Sequence, residues 1–274
     1  MKTIPEGLSS GQRGVLTRLI EHLESDSRVE AAWLVGSLGH GLGDRFSDVD
    51  LLTAVSESAL PAVVDEWPAC SASLVDLAFA RTVYSAPSGT TFTHVTSDYV
   101  RFDVTLTTTH RALENTQGGI ALLASVPIDS DAAGPDEPPG VAADRVQKLS
   151  EEFLRVLGLL PVVIGRQEYL VAASGAALLR SMLVDLFREL APPGYRGGAM
   201  RWERTLSLDQ LEILRGLPSL DWTRDAVIDL HLACAREFLS AARRAYEALG
   251  LTWPQSFEDA VRLYVDRELG LTFE

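Results

Sequence analysis

The stretch that most constrains the fold of this chain runs from Ala31 to Val55 and reads AAWLVGSLGHGLGDRFSDVDLLTAV. Two short apolar runs in it, residues 31–35 and 51–55, predict two buried strands joined by a glycine-rich turn. Residues two apart in a strand point to the same face of the sheet. The side chains of Asp48 and Asp50 are therefore expected to project side by side at the start of the second strand.

Paired carboxylates of this kind repel each other unless a positive charge lies between them, and a hard divalent cation with oxygen ligands is the usual solution. The turn at Gly36 and Ser37 offers unpaired backbone N–H groups and a hydroxyl, which suits a phosphate. Arg45 and Ser47 lie close enough in sequence to assist. The pattern as a whole indicates nucleotide chemistry.

Length and charge limit the alternatives. A chain of 274 residues suits two domains of ordinary size, and an apolar fraction of 46% is ample for buried cores. The formal charge of −14 makes nucleic acid a poor partner and favours a cationic small molecule or a basic protein. We expect no membrane span and no secretory signal. Cys70 and Cys234 are interpreted as reduced core thiols of a cytoplasmic protein.

The predicted organisation is α+β: a mixed sheet with helices, followed by helices alone. Residues 127–140, PIDSDAAGPDEPPG, contain four prolines and four acids and so predict a linker. The predicted domains are therefore residues 1–126 and residues 141–274. A cleft between two such halves is a natural place for a site.

Hydrophobic periodicity predicts the individual elements. In the first domain we expect helices over 9–24 and 56–67, strands over 31–35, 48–55 and 74–80, one or two strands within 92–109, and a weak helix over 111–125. In the second we expect helices over 141–163, 167–190, 221–249 and 256–269, with a short helix opened by a Ser207–Gln210 capping box.

A third carboxylate comes from a later strand. Residues 99–106 alternate cleanly between apolar and polar side chains, which predicts a half-buried strand with Asp103 in the middle of its open face. Pairing of Asp103 with Arg101 is the alternative interpretation. Asp76 is the rival third acid, but apolar neighbours on both sides favour a structural role for it.

The set of Gly36-Ser37, ten intervening residues, Asp48-Val-Asp50 and a later acid on an alternating strand resembles the nucleotidyltransferase superfamily, whose sheet domain is like that of DNA polymerase β. The resemblance covers residues 31 to 107. It implies transfer of a nucleoside monophosphate, AMP in the first instance, from ATP or another NTP to an acceptor, with release of pyrophosphate. It also implies two Mg²⁺ ions held by Asp48, Asp50 and Asp103, with Ser37 and the N–H groups around Gly36 on the β- and γ-phosphates.

The layout of a helical domain after the sheet domain looks like the antibiotic-modifying branch, the aminoglycoside and lincosamide nucleotidyltransferases. That resemblance implies a hydroxyl of a small cationic acceptor, attracted by the acidic chain. Some members use a carboxylate of the helical domain as general base, and Glu168 is the candidate here. Asp185, Glu203 and Trp202 are further candidates for acceptor contacts.

Two other functions stay open at this point. Protein nucleotidylation or a toxin–antitoxin role is one, because Arg224 and His231 have the spacing found in nuclease-like helical partners of such systems. A nucleotide-binding regulator without catalysis is the other. His40 lies in the glycine-rich loop and could approach a phosphate, and the oligomeric state is not predicted.

Overall fold

The protein is described by a computed structural model. It describes residues 7–116, 119–124, 141–191 and 202–273. The chain divides into two compact units, residues 1–137 and residues 138–274. Unit 1 contains a mixed sheet with helices, whereas the described elements of unit 2 are all helices, so the predicted α+β class is confirmed. The predicted linker, 127–140, lies outside the described residues, and the predicted domain boundaries stay predictions.

One mixed sheet organises unit 1. Its strands are β1 (Val29–Val35), β2 (Val49–Val55), β3 (Leu77–Ala86), β4 (Gly89–Thr96), β5 (Arg101–Thr108) and β6 (Ile120–Ala124). In the sheet they lie in the order β3-β4-β5-β2-β1-β6. The central pair, β2 and β5, is parallel, and the other neighbouring pairs are antiparallel. The strand that Asp48 and Asp50 open therefore lies beside the alternating strand that carries Asp103.

Helices cover one face of this sheet. Helix α1 (Ser10–Ser25) begins after the N-cap Ser9, whose side chain accepts from the backbone N–H of Gln12 at 3.2 Å. Leu16 and Leu19 of α1 are fully buried in one cluster with Trp67 of helix α3 (Leu60–Leu74) and with apolar side chains of β2 and β5. Burial of each such side chain contributes roughly 1.5–3 kcal/mol. This packing fixes which side chains of β2 and β5 point away, toward the opposite face.

Three predicted elements of unit 1 were placed wrongly. Helix α3 was expected over 56–67; it starts later and continues through Pro68, which removes one donor without ending the helix. Strand β3 consequently starts after the expected position and is longer. The segment expected as a weak helix over 111–125 contains the short helix α4 (Thr109–Leu113) and then β6, which pairs with β1. That pairing is a long-range interaction, and it overrides the weak local preference.

Unit 2 is built from helices around its own core. They are α5 (Ala143–Leu157), α6 (Leu160–Gly165), α7 (Tyr169–Glu189), α8 (Trp202–Thr205), α9 (Leu208–Gly216), α10 (Arg224–Leu249) and α11 (Gln255–Leu269). The single helix expected over 141–163 is two, because a turn separates α5 from α6 and Pro161 lies in the first turn of α6. The predicted capping box at Ser207 is present.

Helix α7 is the central helix of this core. It is the one helix among the described residues that is long and apolar enough to cross a membrane by length and composition, with a mean hydropathy of 1.6. Half of that stretch is buried inside the protein, and Leu179, Leu183 and Leu186 pack in one cluster with residues of α5 and α10. The position of α7 in the core of unit 2 therefore explains its apolar composition. The cytoplasmic location stays a prediction.

A buried carboxylate ties α10 to α11. Glu258 has no exposed surface and accepts hydrogen bonds from Arg243 at 2.5 and 2.6 Å, from Trp253 at 2.7 Å and from Arg262 at 2.7 Å. Burial alone would raise the pKa of Glu258, but these donors outweigh it and hold that pKa below its usual value. The ionised carboxylate therefore stabilises the end of unit 2.

Candidate active site

The phosphate-type turn predicted between β1 and β2 is compact. Helix α2 (Gly36–Gly39) is a single turn that begins directly after β1, and the antiparallel register places Val35 opposite Asp50. Gly36 has φ +61°, and a Cβ there would lie 2.0 Å from Oδ2 of Asp50. Glycine is required at this position for both reasons. Ser37, the next residue, lies in the same helical turn and is half-buried. It therefore adjoins the point where the backbone of Gly36 approaches the carboxylate of Asp50.

The three predicted carboxylates lie in one region of the sheet. In the parallel pair of β2 and β5, Asp50 is directly opposite Asp103. Asp48 lies just before β2 and forms an ion pair with Arg101, whose guanidinium also donates to the carbonyl of Phe46 at 2.9 Å. Arg101 thus pairs with Asp48, whereas the alternative interpretation of the sequence paired it with Asp103.

The positive charge of Arg101 does not offset burial and the mutual repulsion of the carboxylates in this cluster. Burial, followed by the charges of Asp103 and Asp48, raises the pKa of Asp50 to about 7, although Arg101 opposes the shift. Burial also raises the pKa of Asp48, where Arg101 lowers it and Asp103 raises it. Two or three carboxylates that disfavour one another's ionisation form a donor set that suits a hard cation.

The carboxylate side chains of this donor set do not converge on one point as the ligands of a metal site do. Within the described residues, no group of three or more His, Cys, Asp or Glu side chains is arranged so that it could hold a metal ion. Asp48 is instead engaged in the ion pair with Arg101. The chemistry of the donors fits Mg²⁺, and rotation of the Asp48 side chain away from Arg101 would be needed to complete the set.

The loop between α2 and β2 holds the other predicted phosphate contacts. Arg45 is exposed, with its guanidinium 4.4 Å from the ring centroid of Phe46. Ser47 is engaged in the loop itself, since its hydroxyl accepts from the N–H of Asp44 at 3.0 Å and donates to the carboxylate of Asp44 at 3.2 Å. His40 donates from Nδ1 to the carbonyl of Gly36 at 2.6 Å, so it stabilises the turn.

Gln12 is a positioning residue that the sequence did not single out. Its side chain is almost fully buried and donates to the carbonyl of Asp44 at 3.0 Å and to that of Ser47 at 2.7 Å. The same amide accepts from the N–H of Ser9 at 2.6 Å. Gln12 therefore connects the start of α1 to the loop before Asp48. The capping-box spacing was a visible signal for the helix start, but no sequence signal indicates the contact with the loop.

The candidates in unit 2 are dispersed. Glu168 is exposed at the N-cap of α7, and no side-chain capping bond is formed there. Asp185 lies near Arg188 at 3.6 Å, and Glu203 pairs with Arg215 at 3.0 Å. Trp202 is 41% exposed. A partly exposed indole remains available for stacking.

The Arg224–His231 spacing and the rival acid Asp76 are not supported as site features. His231 is buried, donates from Nδ1 to the carbonyl of Val227 at 2.6 Å and has a pKa lowered by burial, while Arg224 is exposed and pairs with Asp225 at 3.2 Å. They do not form an accessible nuclease-like pair. Asp76 is exposed just before β3 and lies outside the carboxylate cluster.

Comparisons with known proteins gave distant structural likenesses, among them the two that follow. No protein-family model and no curated protein matches the sequence. An aminoglycoside 6-adenyltransferase from Bacillus subtilis is 15% identical over 93% of this chain and 96% of that one, with a TM-score of 0.43. A nucleotidyltransferase-like protein from Exiguobacterium sibiricum is 13% identical over 95% of this chain and 89% of that one, with a TM-score of 0.37. At these identities and TM-scores, neither name is carried over to this chain.

Proposed function

We propose that this chain is a metal-dependent nucleotidyltransferase that transfers AMP from ATP to a hydroxyl of a small acceptor and releases pyrophosphate. The observation that carries the proposal is the register of β2 and β5, which puts Asp50 directly beside Asp103. The glycine turn at Gly36 packs against the same carboxylate. A phosphate-type turn and paired acids that disfavour each other's charge are the two parts that this reaction requires.

In this proposal the side chains divide into two roles. Asp48, Asp50 and Asp103 would hold two Mg²⁺ ions, which when bound neutralise phosphate charge and favour ionisation of the acceptor hydroxyl. Ser37 and the backbone N–H groups near Gly36 bind the β- and γ-phosphates. The acceptor oxygen forms a bond to the α-phosphorus as the bond to the β-phosphate oxygen breaks, and pyrophosphate leaves with that electron pair.

The proton of the acceptor hydroxyl must leave in the same step. Glu168 is our candidate for the general base, because the resemblance implies a carboxylate of the helical domain in this role and that of Glu168 is exposed at the N-cap of α7. We expect Glu168→Gln to lower kcat with little change in the KM for ATP. An unchanged kcat would remove Glu168 from the mechanism and leave the carboxylate cluster unaffected.

We propose a small cationic acceptor of the aminoglycoside or lincosamide type. The formal charge of −14 supports a cation by Coulomb attraction and disfavours a polyanion such as RNA or DNA. The excess of carboxylates over cationic side chains is the only support for this choice, so the acceptor must be identified by experiment.

The direct test is a pyrophosphate-release assay with ATP, Mg²⁺ and a panel of aminoglycosides and lincosamides. Release that depends on one acceptor, and that Asp50→Asn abolishes, supports the proposal. Asp76→Asn provides a matched control, because it makes the same change at an exposed carboxylate of unit 1. Transfer onto proteins of a lysate, with none onto the panel, would instead support protein nucleotidylation. Binding of ATP without release of pyrophosphate in the presence of any acceptor would support a nucleotide-binding regulator.

A further inference from the structure

The open face of the sheet continues beyond the carboxylate cluster toward its outer edge. The register places Thr93 of β4 beside Asp103, and Arg81 of β3 beside Thr93. Asp50, Asp103, Thr93 and Arg81 therefore form one row across four strands. Because neighbouring strands lie about 4.8 Å apart, the backbone of Arg81 is roughly 10 Å from that of Asp103. A ligand with one or two sugar rings spans such a distance.

Two aromatic side chains flank Arg81 on the same face. Phe79 pairs with Val95 and Tyr84 pairs with Thr91, both on the face that carries Asp103. Phe79 is 47% exposed and Tyr84 is 59% exposed. Ala80 and Thr82 of β3 instead pair with His94 and Phe92, which are buried on the face that α1 and α3 cover. We call Phe79, Arg81 and Tyr84 the β3 subsite.

The cation of this subsite is not neutralised by an ion pair within the described part of the chain. Arg81 is exposed and forms neither an ion pair nor a contact over an aromatic ring with any residue that the structure describes. The neighbouring strand offers hydroxyls rather than carboxylates: Thr93 adjoins Arg81, and Thr91 is hydrogen-bonded to Thr105 at 2.9 Å. Strand β4, the neighbour of β3, contains no acid, although the chain has 38 acids and 24 lysines plus arginines.

A guanidinium on the same strand face as two aromatic side chains suits a particular ligand chemistry. Its N–H groups donate to hydroxyl oxygens, and it has no acceptor for an ammonium group. The C–H face of a sugar ring is apolar enough to be buried against Phe79 or Tyr84. An ammonium group on the same ring would be repelled by Arg81. The chemistry therefore selects a hydroxylated ring that is uncharged where it meets β3.

We propose that the β3 subsite binds a hydroxyl-bearing sugar ring of the acceptor and excludes an ammonium group from that ring, so that the reacting hydroxyl is presented at Asp103. This inference rests on the proposed function and specifies it, because it states which part of a cationic acceptor faces the sheet. The ammonium groups of the acceptor must then lie away from β3. Arg81 is a specificity-determining residue in this account.

The test compares two matched pairs of ligands, each differing by one hydroxyl in place of one amino group: paromomycin with neomycin, and kanamycin A with kanamycin B. Dissociation constants are measured by calorimetry without nucleotide, and the KM for each acceptor is measured with ATP and Mg²⁺. Wild-type protein should prefer the hydroxyl member of at least one pair. Arg81→Glu should weaken that member about tenfold, the scale of a hydrogen bond to a charged group, and should strengthen the amino member.

Control variants separate this effect from general changes of charge. Arg18→Glu makes the same charge reversal at an exposed position of α1, on the other side of the sheet, and should leave the preference unchanged. Phe79→Ala and Tyr84→Ala should weaken both members of a pair alike, since they remove stacking and not charge. The KM for ATP should stay at the wild-type value in all of these variants.

Three results would overturn the subsite. The first is a ligand preference that Arg81→Glu does not alter. The second is that wild-type protein binds neither member of either pair. The third is a dimer that Arg81→Glu dissociates, which would assign β3 to the interface with a second copy of the chain. Failure of the proposed function looks different: acceptors bind with the predicted preference, yet ATP releases no pyrophosphate.

Discussion

Replacing Asp50 by asparagine should stabilise the metal-free protein at pH 8. Burial and the neighbouring acids raise the pKa of Asp50 from 3.8 to about 7, so the folded protein holds a proton there that the unfolded chain releases. Between about pH 4 and 7 the folded state binds more protons, and the free energy of unfolding therefore falls as the pH rises. Above pH 7 the full free-energy cost of ionising Asp50 in the folded state is present in wild-type protein and absent in the Asp50→Asn variant.

The size of the effect follows from the shift. A difference of about three pKa units corresponds to at most about 4 kcal/mol, at about 1.36 kcal/mol per unit. The asparagine amide keeps a polar group in a mostly buried position, so we expect a net gain of about 2 kcal/mol at pH 8. The gain should shrink toward zero near pH 4, where the folded wild-type protein is protonated at Asp50.

The assay is urea unfolding in EDTA at pH 5, 6, 7 and 8, for wild-type protein, Asp50→Asn and the exposed control Asp76→Asn. The control should stay within about 0.5 kcal/mol of wild type at each pH. Adding Mg²⁺ should then stabilise wild-type protein and not Asp50→Asn, because only the former keeps the donor set. If Asp50→Asn is less stable than wild-type protein in EDTA at pH 8, the carboxylates do not repel one another as described.

Three further substitutions test other parts of the structure. Gly36→Ala should cost more stability than Gly41→Ala, by about 1–3 kcal/mol, because both positions have positive φ but a Cβ meets a carboxylate only at the first; urea unfolding measures both, and equal losses would contradict the close approach. Gln12→Ala should raise the KM for ATP whereas Gln210→Ala should not, since both remove a capping box but only the first releases the loop before β2. Glu258→Gln should cost about 3–5 kcal/mol at pH 7. Its pKa is lowered in the folded state, so this stabilisation is present above the unfolded pKa of 4.5 and is lost as the pH falls through the folded value; a loss that does not depend on acid pH would contradict the ionised network.

The parts that the sequence predicted correctly are those encoded by local periodicity. The alternation around Asp103, the apolar runs on either side of Gly36 and the capping box at Ser207 each specify a local geometry. All three recur in the structure close to the expected residues. The register that brings Asp50 beside Asp103 is not local, and it was expected only through the resemblance to a known superfamily.

The parts that were missed depend on contacts between distant residues. Strand β6 forms because β1 offers an edge to pair with, and nothing in residues 120–124 alone specifies a strand. The ion pair of Asp48 with Arg101 and the bonds from Gln12 to the loop before β2 join residues far apart in sequence. The exposed aromatic residues of β3 gave no signal, because their strand lies at an edge and is not buried on either face.

The central claim is that the carboxylate cluster directs attack at the α-phosphorus of a nucleotide. The measurement that tests it most directly uses ATP labelled at the α- or the γ-phosphorus, with Mg²⁺ and the acceptor panel. The account predicts that the α-label appears on the acceptor, that the γ-label appears in pyrophosphate, and that Asp103→Asn removes several kcal/mol of transition-state stabilisation from this transfer. Appearance of the γ-label on the acceptor would contradict it, as would α-label transfer that Asp103→Asn leaves undiminished.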